Sequence, residues 1–175
     1  QKDRLFFFAS VQRFEKDQDP SGPRTSRKEL SHRANLKFNF NPSPNDSFIA
    51  SGQFDDYSIR GRCDYDSDVQ CTDETTDNED APEWLWNAQW RHLFSSKTFL
   101  ETKYVGWWGY YYLDPQVNGP GQLDSNRTYS QSYGIFAYYD RNPDQLNATL
   151  SLYAEGFGQH DLKFGVELER SKARN

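Results

Sequence analysis

With 175 residues, 20 Lys and Arg against 26 Asp and Glu, and a net charge of −6, the chain is one domain or a piece of one. That balance argues against nucleic acid as a partner, which needs clustered Lys and Arg, and 17% aromatic residues argue against disorder. No run approaches the ~18 apolar residues of a membrane helix, and Met is absent even at position 1, which points to an internal fragment or a trimmed chain.

The pattern along the chain has period two, the signature of strands with two unlike faces. A first strand is expected over Arg4–Phe14, apolar on both faces at Leu5 to Phe8. Ala34, Leu36, Phe38 and Phe40 then alternate with Asn35, Lys37, Asn39 and Asn41. After the turn Pro42-Ser43-Pro44-Asn45, Phe48, Ala50, Gly52 and Phe54 alternate with Ser51, Gln53 and Asp55. From Glu83 to Ser95, Trp84, Trp86, Ala88, Trp90, His92 and Phe94 oppose Leu85, Asn87, Gln89, Arg91 and Leu93. Leu100, Thr102, Tyr104, Gly106 and Trp108 oppose Glu101, Lys103 and Val105. Tyr133 to Tyr139 forms a strand-like patch that would extend the sheet beyond its main body. Two last strands are carried by Leu146, Ala148, Leu150, Leu152 and Ala154, and by Leu162, Phe164, Val166 and Leu168.

Connections alternate in length. Residues 41–46, 95–97 and 156–160 are tight turns, while residues 15–32, 59–82 and 114–142 are long and polar. The mean hydropathy of −1.00 is assigned to those long acidic connections. The expected fold is all-β, an up-and-down antiparallel sheet of about seven or eight strands, each paired with its sequence neighbour.

Strands of about ten residues, with short turns at one end and long loops at the other, describe a transmembrane barrel. In hydrocarbon every backbone group must be paired internally, so the sheet must close on itself. Aromatic residues gather at two levels, as membrane interfaces favour. Trp107, Trp108, Tyr110, Tyr111 and Tyr112, with Trp84, Trp86 and Tyr57, lie toward the long loops. Phe40, Phe94 and Phe157 lie toward the short turns. A β-sandwich shows the same alternation, with the aromatics in its core.

Three stretches resemble a known family. Lys2-Asp3-Arg4-Leu5-Phe6-Phe7-Phe8-Ala9-Ser10 looks like the strand that follows the plug in TonB-dependent outer-membrane transporters of the Oar-like type. Asn35-Leu36-Lys37-Phe38-Asn39-Phe40-Asn41-Pro42 is similar to a following hairpin. Gln145 to Tyr153 with His160 to Glu167 resembles another. The resemblance implies a 22-stranded barrel in the Gram-negative outer membrane, an N-terminal plug, and energy supplied through the TonB complex. Residues 1–175 would then be one sector of the barrel wall, without the plug or the remaining strands, in a receptor that takes up a scarce solute. The alternatives are a secreted or surface β-sandwich that binds glycans or proteins, and a small stand-alone barrel of eight strands.

On the barrel reading, the lumen face carries Asn35, Lys37, Asn39, Gln53, Asp55, Asn87, Gln89, Arg91, Glu101, Lys103, Lys163 and Glu167. The lipid face carries Leu36, Phe38, Trp86, Trp90, Leu150, Leu152, Phe164 and Val166, exposed on the convex side of a gently curved, open sheet. Cys63 and Cys71 are expected to form a loop disulfide, which implies an oxidising compartment. Between them Asp64, Asp66 and Asp68 present oxygen ligands at alternating positions, which suits calcium. However, Val69 stands where an EF-hand would want Gly, and a solvated, disulfide-pinned loop explains the same residues. Tyr110, Tyr111, Tyr112, Tyr133, Tyr138 and Tyr139 form either an external ligand platform or an interface girdle. No catalytic motif occurs, and His32, His92 and His160 are isolated in sequence, so the chain is not expected to be an enzyme.

Overall fold

The computed structural model describes residues 4–19, 26–63, 70–126, 128–131 and 136–175. The chain runs β1 (Leu5–Gln18), β2 (Arg27–Ser43), β3 (Asp46–Arg62), β4 (Gln70–Cys71), a 3₁₀ turn (Asp73–Thr75), β5 (Asp77–Ser95), β6 (Thr98–Pro115), β7 (Gly121–Leu123), β8 (Thr128–Gln131), β9 (Ala137–Glu155) and β10 (Gln159–Arg174). Seven strands form one antiparallel sheet in the order β1-β2-β3-β5-β6-β9-β10, which is up-and-down order. The three short strands form a second sheet, β4-β8-β7, across the long connections.

Short turns set three of these pairings, β2–β3, β5–β6 and β9–β10, because two or three residues leave the chain only its neighbour to pair with; long connections join β1–β2, β3–β5 and β6–β9. At the first turn Ser43 Oγ accepts the backbone N–H of Asn45 (3.2 Å) and of Asp46 (3.0 Å) and donates to Asp46 Oδ2 (2.7 Å). This is the local chemistry that favours Ser in turns. Once register is set, it sorts side chains by face. One cross-strand row reads Phe38, Ala50, Ala88, Tyr104, Leu146, Leu168. The next reads Asn39, Ile49, Gln89, Lys103, Asn147, Glu167.

Several expectations from the sequence change here. The strands are longer than the alternation implied, since residues 15–18, 27–32, 59–62, 77–82 and 140–142 all lie in the ladder. Apolar alternation marks only where one face is apolar, whereas backbone pairing continues as long as a partner strand is alongside. The Tyr133–Tyr139 patch is not a separate extension. Ala137 to Tyr139 open β9 itself, paired with Tyr111 to Leu113, and residues 133–135 lie outside the described residues. The first strand's facing is settled by its partners. Phe6 and Phe8 stand opposite Asn39 and Lys37 on the polar side, and Leu5 and Phe7 opposite Phe40 and Phe38 on the apolar side.

No ladder joins β1 to β10 among the described residues, so the sheet is open. It curves around its polar face, so that Phe8 and Ser10 of β1 and Glu169 of β10 border the same hollow. The twist and coil inherent in long antiparallel strands account for that curl.

Most of the buried residues lie toward the long connections, not in a central core; Ser151, near the turn between β9 and β10, is an exception. Among described residues the buried apolar side chains are Ile59, Cys71 and Leu113. Ser31, Asp55, Thr75, Thr76, Asp77 and Glu79 are buried with them. A sandwich would bury its apolar strand faces against a second sheet. Here that face stays open: Phe7 is 74% exposed, Val11 88% and Phe164 58%.

Candidate functional site

The polar face is the concave one. It holds a hollow of about 970 Å³, bordered by residues of all seven strands, among them Ser10, Asn35, Lys37, Gln53, Asn87 and Lys103. Gln89, Gln145 and Glu169 also reach it. The registers place Arg91 opposite Glu101, Lys163 opposite Ser151, and Glu167 opposite Asn147 on this same face. Asp55 belongs to it as well, but is buried: it accepts Ser31 Oγ at 2.6 Å and Arg33 Nε at 2.8 Å.

The charged groups of this face, of which Lys37 and Lys103 border the hollow, do not neutralise one another. Among described residues Lys37, Glu101, Lys103, Lys163 and Glu167 form no ion pair, and Arg91 instead lies over the Phe99 ring at 4.4 Å. Such groups need water or an occupant around them, since an unpaired charge out of water is heavily disfavoured. The side-chain carbonyl oxygens of Asn39 and Asn87 are buried on this face without a hydrogen-bond partner.

Toward the long connections the inner face carries a packed ionic cluster. Gly61 adopts φ +71°, a left-handed conformation open to glycine, at the bulge between Ile59 and Arg62. The bulge pairs Arg62 with Asp77. Arg62 Nη1 donates to Glu79 and to the Tyr111 hydroxyl, and the guanidinium lies 5.5 Å from the Tyr111 ring centroid. Burial pushes Glu79 up from its ordinary value. Asp77, 4% exposed, is pushed up to about 6 by burial, with Asp114 adding to the shift and Arg62 opposing it. A carboxyl raised in the folded state holds its proton more tightly there than when unfolded. Stability therefore falls as pH rises from about 3.8 to about 6 and stays lower above that window. Asp77→Asn is expected to stabilise the fold by about 1–2 kcal/mol at pH 7.5 and to leave it unchanged below pH ~4. Denaturant titrations at both pH values check this, and a destabilised variant at pH 7.5 would contradict it.

The convex face sorts its rings into two rows. One runs Phe54–Trp84–Trp108–Tyr110–Tyr138–Tyr112–Phe136, with successive centroids 4.5 to 6.5 Å apart. The other, nearer the turns, runs Phe40–Phe48–Trp90–His92–Phe94, at 6.3, 6.1, 5.8 and 4.7 Å. Asp46 fixes the second row, accepting Trp90 Nε1–H at 3.2 Å and bonding His92 Nδ1 at 2.7 Å. Between the rows lie Leu36, Phe38, Trp86, Ala88, Tyr104 and Leu146, and beside them Asp144, which accepts the Tyr104 hydroxyl at 2.8 Å and pairs with Arg170 at 2.6 Å. Leu150, Phe164, Val166, Leu152 and Leu162 continue this face across β9 and β10.

The aromatic cluster toward the long loops is divided between the two faces. Trp108, Tyr110, Tyr112 and Tyr138 face outward, whereas Tyr57, Trp107, Tyr111 and Tyr139 face inward. Strict alternation along a strand requires this. Sequence reasoning passed over the ionic cluster, since Arg62 reaches the inner face only through a bulge that no pattern announces.

Cys63 and Cys71 are joined by a disulfide with Cα atoms 6.2 Å apart, just ahead of β5. Gln70 and Cys71 pair with Thr128 and Tyr129 of the other long connection, and Gln131 N–H donates to Glu74 Oε1 at 3.2 Å. Asp64, Asp66 and Asp68, the candidate calcium ligands, lie outside the described residues. Among described residues no group of three His, Cys, Asp or Glu is placed to hold a metal. Loss of the disulfide in the paired variant Cys63→Ser, Cys71→Ser is expected to cost about 2–3 kcal/mol by the chain-entropy relation. Denaturant midpoints of oxidised wild type and variant check it, and equal midpoints would show that the crosslink contributes nothing.

No family model, curated protein or solved structure matches the chain.

Proposed function

We propose that the chain is a non-enzymatic sector of the wall of a TonB-dependent outer-membrane transporter, lining the passage of a scarce solute. The observation that carries this reading is the convex face: largely apolar, with exposed apolar side chains on all seven strands, bracketed by two rows of rings, and carrying the ion pair Asp144–Arg170 on its β9–β10 side. An exposed apolar surface of that extent needs a lipid or protein cover, and ring rows at its borders suit the two interfaces of a bilayer. From Trp84 to Phe94 is ten residues, about 34 Å along the strand. At a tilt of ~40° that spans about 26 Å, close to the apolar band of outer-membrane barrels. Asp77 and Glu79 lie beyond that band. The partners are then outer-membrane lipid, the plug and further strands of the same protein, and the TonB complex reached through the plug. The resemblance of the strand sequences supplies the family; the open edges of β1 and β10 supply the need for further strands, because unpaired edges are not tolerated in lipid.

The small stand-alone barrel is the second reading, favoured by the hollow that both edge strands border. A small barrel is filled by its own side chains, and charges there would have to pair. The unpaired Lys37, Lys103, Lys163 and Glu167 favour a wider, wet lumen.

An antibody to residues 116–126 tests the assignment in the producing cell. We expect an outer-membrane protein far larger than 20.5 kDa that crosslinks to TonB. A water-soluble species of about that mass would overturn the reading, and a membrane species of that mass would favour the small barrel.

A further inference from the structure

At the loop end of the concave face, one slot stands apart from the general polarity. Glu83, Gly109 and Arg141 are cross-strand neighbours on β5, β6 and β9, and the glycine leaves a gap between the carboxylate and the guanidinium. The Trp107 ring leans into that gap, for a Cβ on Gly109 would sit 2.9 Å from its Cζ2. Trp107 Nε1–H donates to Glu83 Oε2 at 3.0 Å, which fixes the ring's position. The Tyr111 and Tyr139 rings, with centroids 6.0 Å apart, form the wall above. The half-open space they border is about 380 Å³, within the roughly 300–1,000 Å³ of small-molecule sites.

Two polar groups in this slot are unused. Among the described residues Arg141 makes no ion pair or hydrogen bond, and the hydroxyl of Tyr139, a residue 41% exposed, has no partner. A held indole face stacks against a flat ring with apolar C–H groups. An unpaired guanidinium is suited to a carboxylate, which it can grip through two parallel hydrogen bonds. Glu83 and Tyr139 remain to bond hydroxyl groups. A ring that offers a C–H face, hydroxyls and a carboxylate together is an acidic sugar.

We propose that this slot binds a pyranose bearing a carboxylate, with the sugar face on Trp107, the carboxylate on Arg141, and ring hydroxyls on Glu83 and Tyr139. The proposal rests on reading the concave face as the lumen wall, and it names the class of solute met at the lumen mouth.

The whole protein, solubilised in detergent, is titrated calorimetrically with three probes. These are a disaccharide ending in glucuronic acid, the same disaccharide ending in glucose, and 4-hydroxybenzoate. The acidic disaccharide should bind, and the neutral one should bind about tenfold more weakly or worse, as expected for loss of a charge-assisted pair. Arg141→Gln should lower affinity for the acidic sugar by a similar factor and leave the neutral sugar unaffected, Arg141→Lys should restore part of it, and Trp107→Phe should weaken both sugars. No binding of the acidic disaccharide to wild type, or equal affinity in Arg141→Gln, overturns the proposal. Binding of 4-hydroxybenzoate without the sugar overturns it too, because the slot then takes aromatic acids. The titration needs no bilayer. Failure here with lipid contact intact on the convex face discards the slot alone, whereas sugar binding without lipid contact discards the lumen reading.

Discussion

Ala88→Arg is expected to destabilise the wall by about 2–4 kcal/mol, the cost of a cation on the lipid face near mid-bilayer. Ala88 sits on the convex face, in the row of Phe38, Ala50, Tyr104 and Leu146, four residues from the Trp84 ring and six from Phe94. No polar side chain on its own row offers the new charge a carboxylate. Gln89→Arg, one position along, turns to the hollow and meets water, so it should change stability by less than about 0.5 kcal/mol, as ordinary surface substitutions do. Urea unfolding in lipid vesicles measures both. A large effect at both positions would indicate a packed protein environment on each face. A small effect at both would place the convex face in water and remove the basis for a membrane.

Gly109→Val is expected to cost about 1–3 kcal/mol, the range for overpacking a filled site. A Cβ there would sit 2.9 Å from Trp107 Cζ2, 3.1 Å from the Pro82 carbonyl oxygen and 3.2 Å from Glu83 Cβ. Because one obstacle is backbone, rotating the indole does not relieve the clash, and the Trp107–Glu83 hydrogen bond is lost as the ring is displaced. Gly106 makes an informative contrast. Its Cβ would meet the Trp86 ring at 2.3 Å, but only side-chain atoms stand in the way, and that indole can swing outward over the convex face. Gly106→Ala should therefore cost less than Gly109→Val and chiefly shift Trp86 emission. The same destabilisation for both, with unchanged emission, would mean that neither ring lies where the structure puts it.

How much of this was legible in the sequence follows from what alternation encodes. Leu36, Phe38, Trp86, Trp90, Leu150 and Phe164 all fall on one face because each lies in a clean period-two run. The lumen candidates fall on the other face for the same reason. Alternation is silent where both faces are polar, so the extensions of β2, β3 and β5 past the ring row read as loops. It is silent again where both faces are apolar. Phe6 and Phe8 could be placed only by their partners Asn39 and Lys37. Pairings across strands are a third blind spot. The Trp107 ring over Gly109, Glu83 beside it and Arg141 across from it come from three strands, and only the register brings them together.

The most direct measurement is a nitroxide scan along β5 from Trp84 to Trp90 in phospholipid vesicles. The scan is made in the whole protein, where the Cys63–Cys71 disulfide keeps both sulfurs from the label and any cysteine outside residues 1–175 is replaced by Ser, so that the introduced cysteine is the labelling site. Collision with dissolved oxygen reports lipid, and collision with a charged nickel chelate reports water. Labels at positions 84, 86, 88 and 90 should collide with oxygen, and labels at 85, 87 and 89 with the chelate, giving two period-two patterns in antiphase. Shielding from both reagents at 84, 86, 88 and 90 would mean that the convex face is a buried protein core, and would contradict the barrel wall.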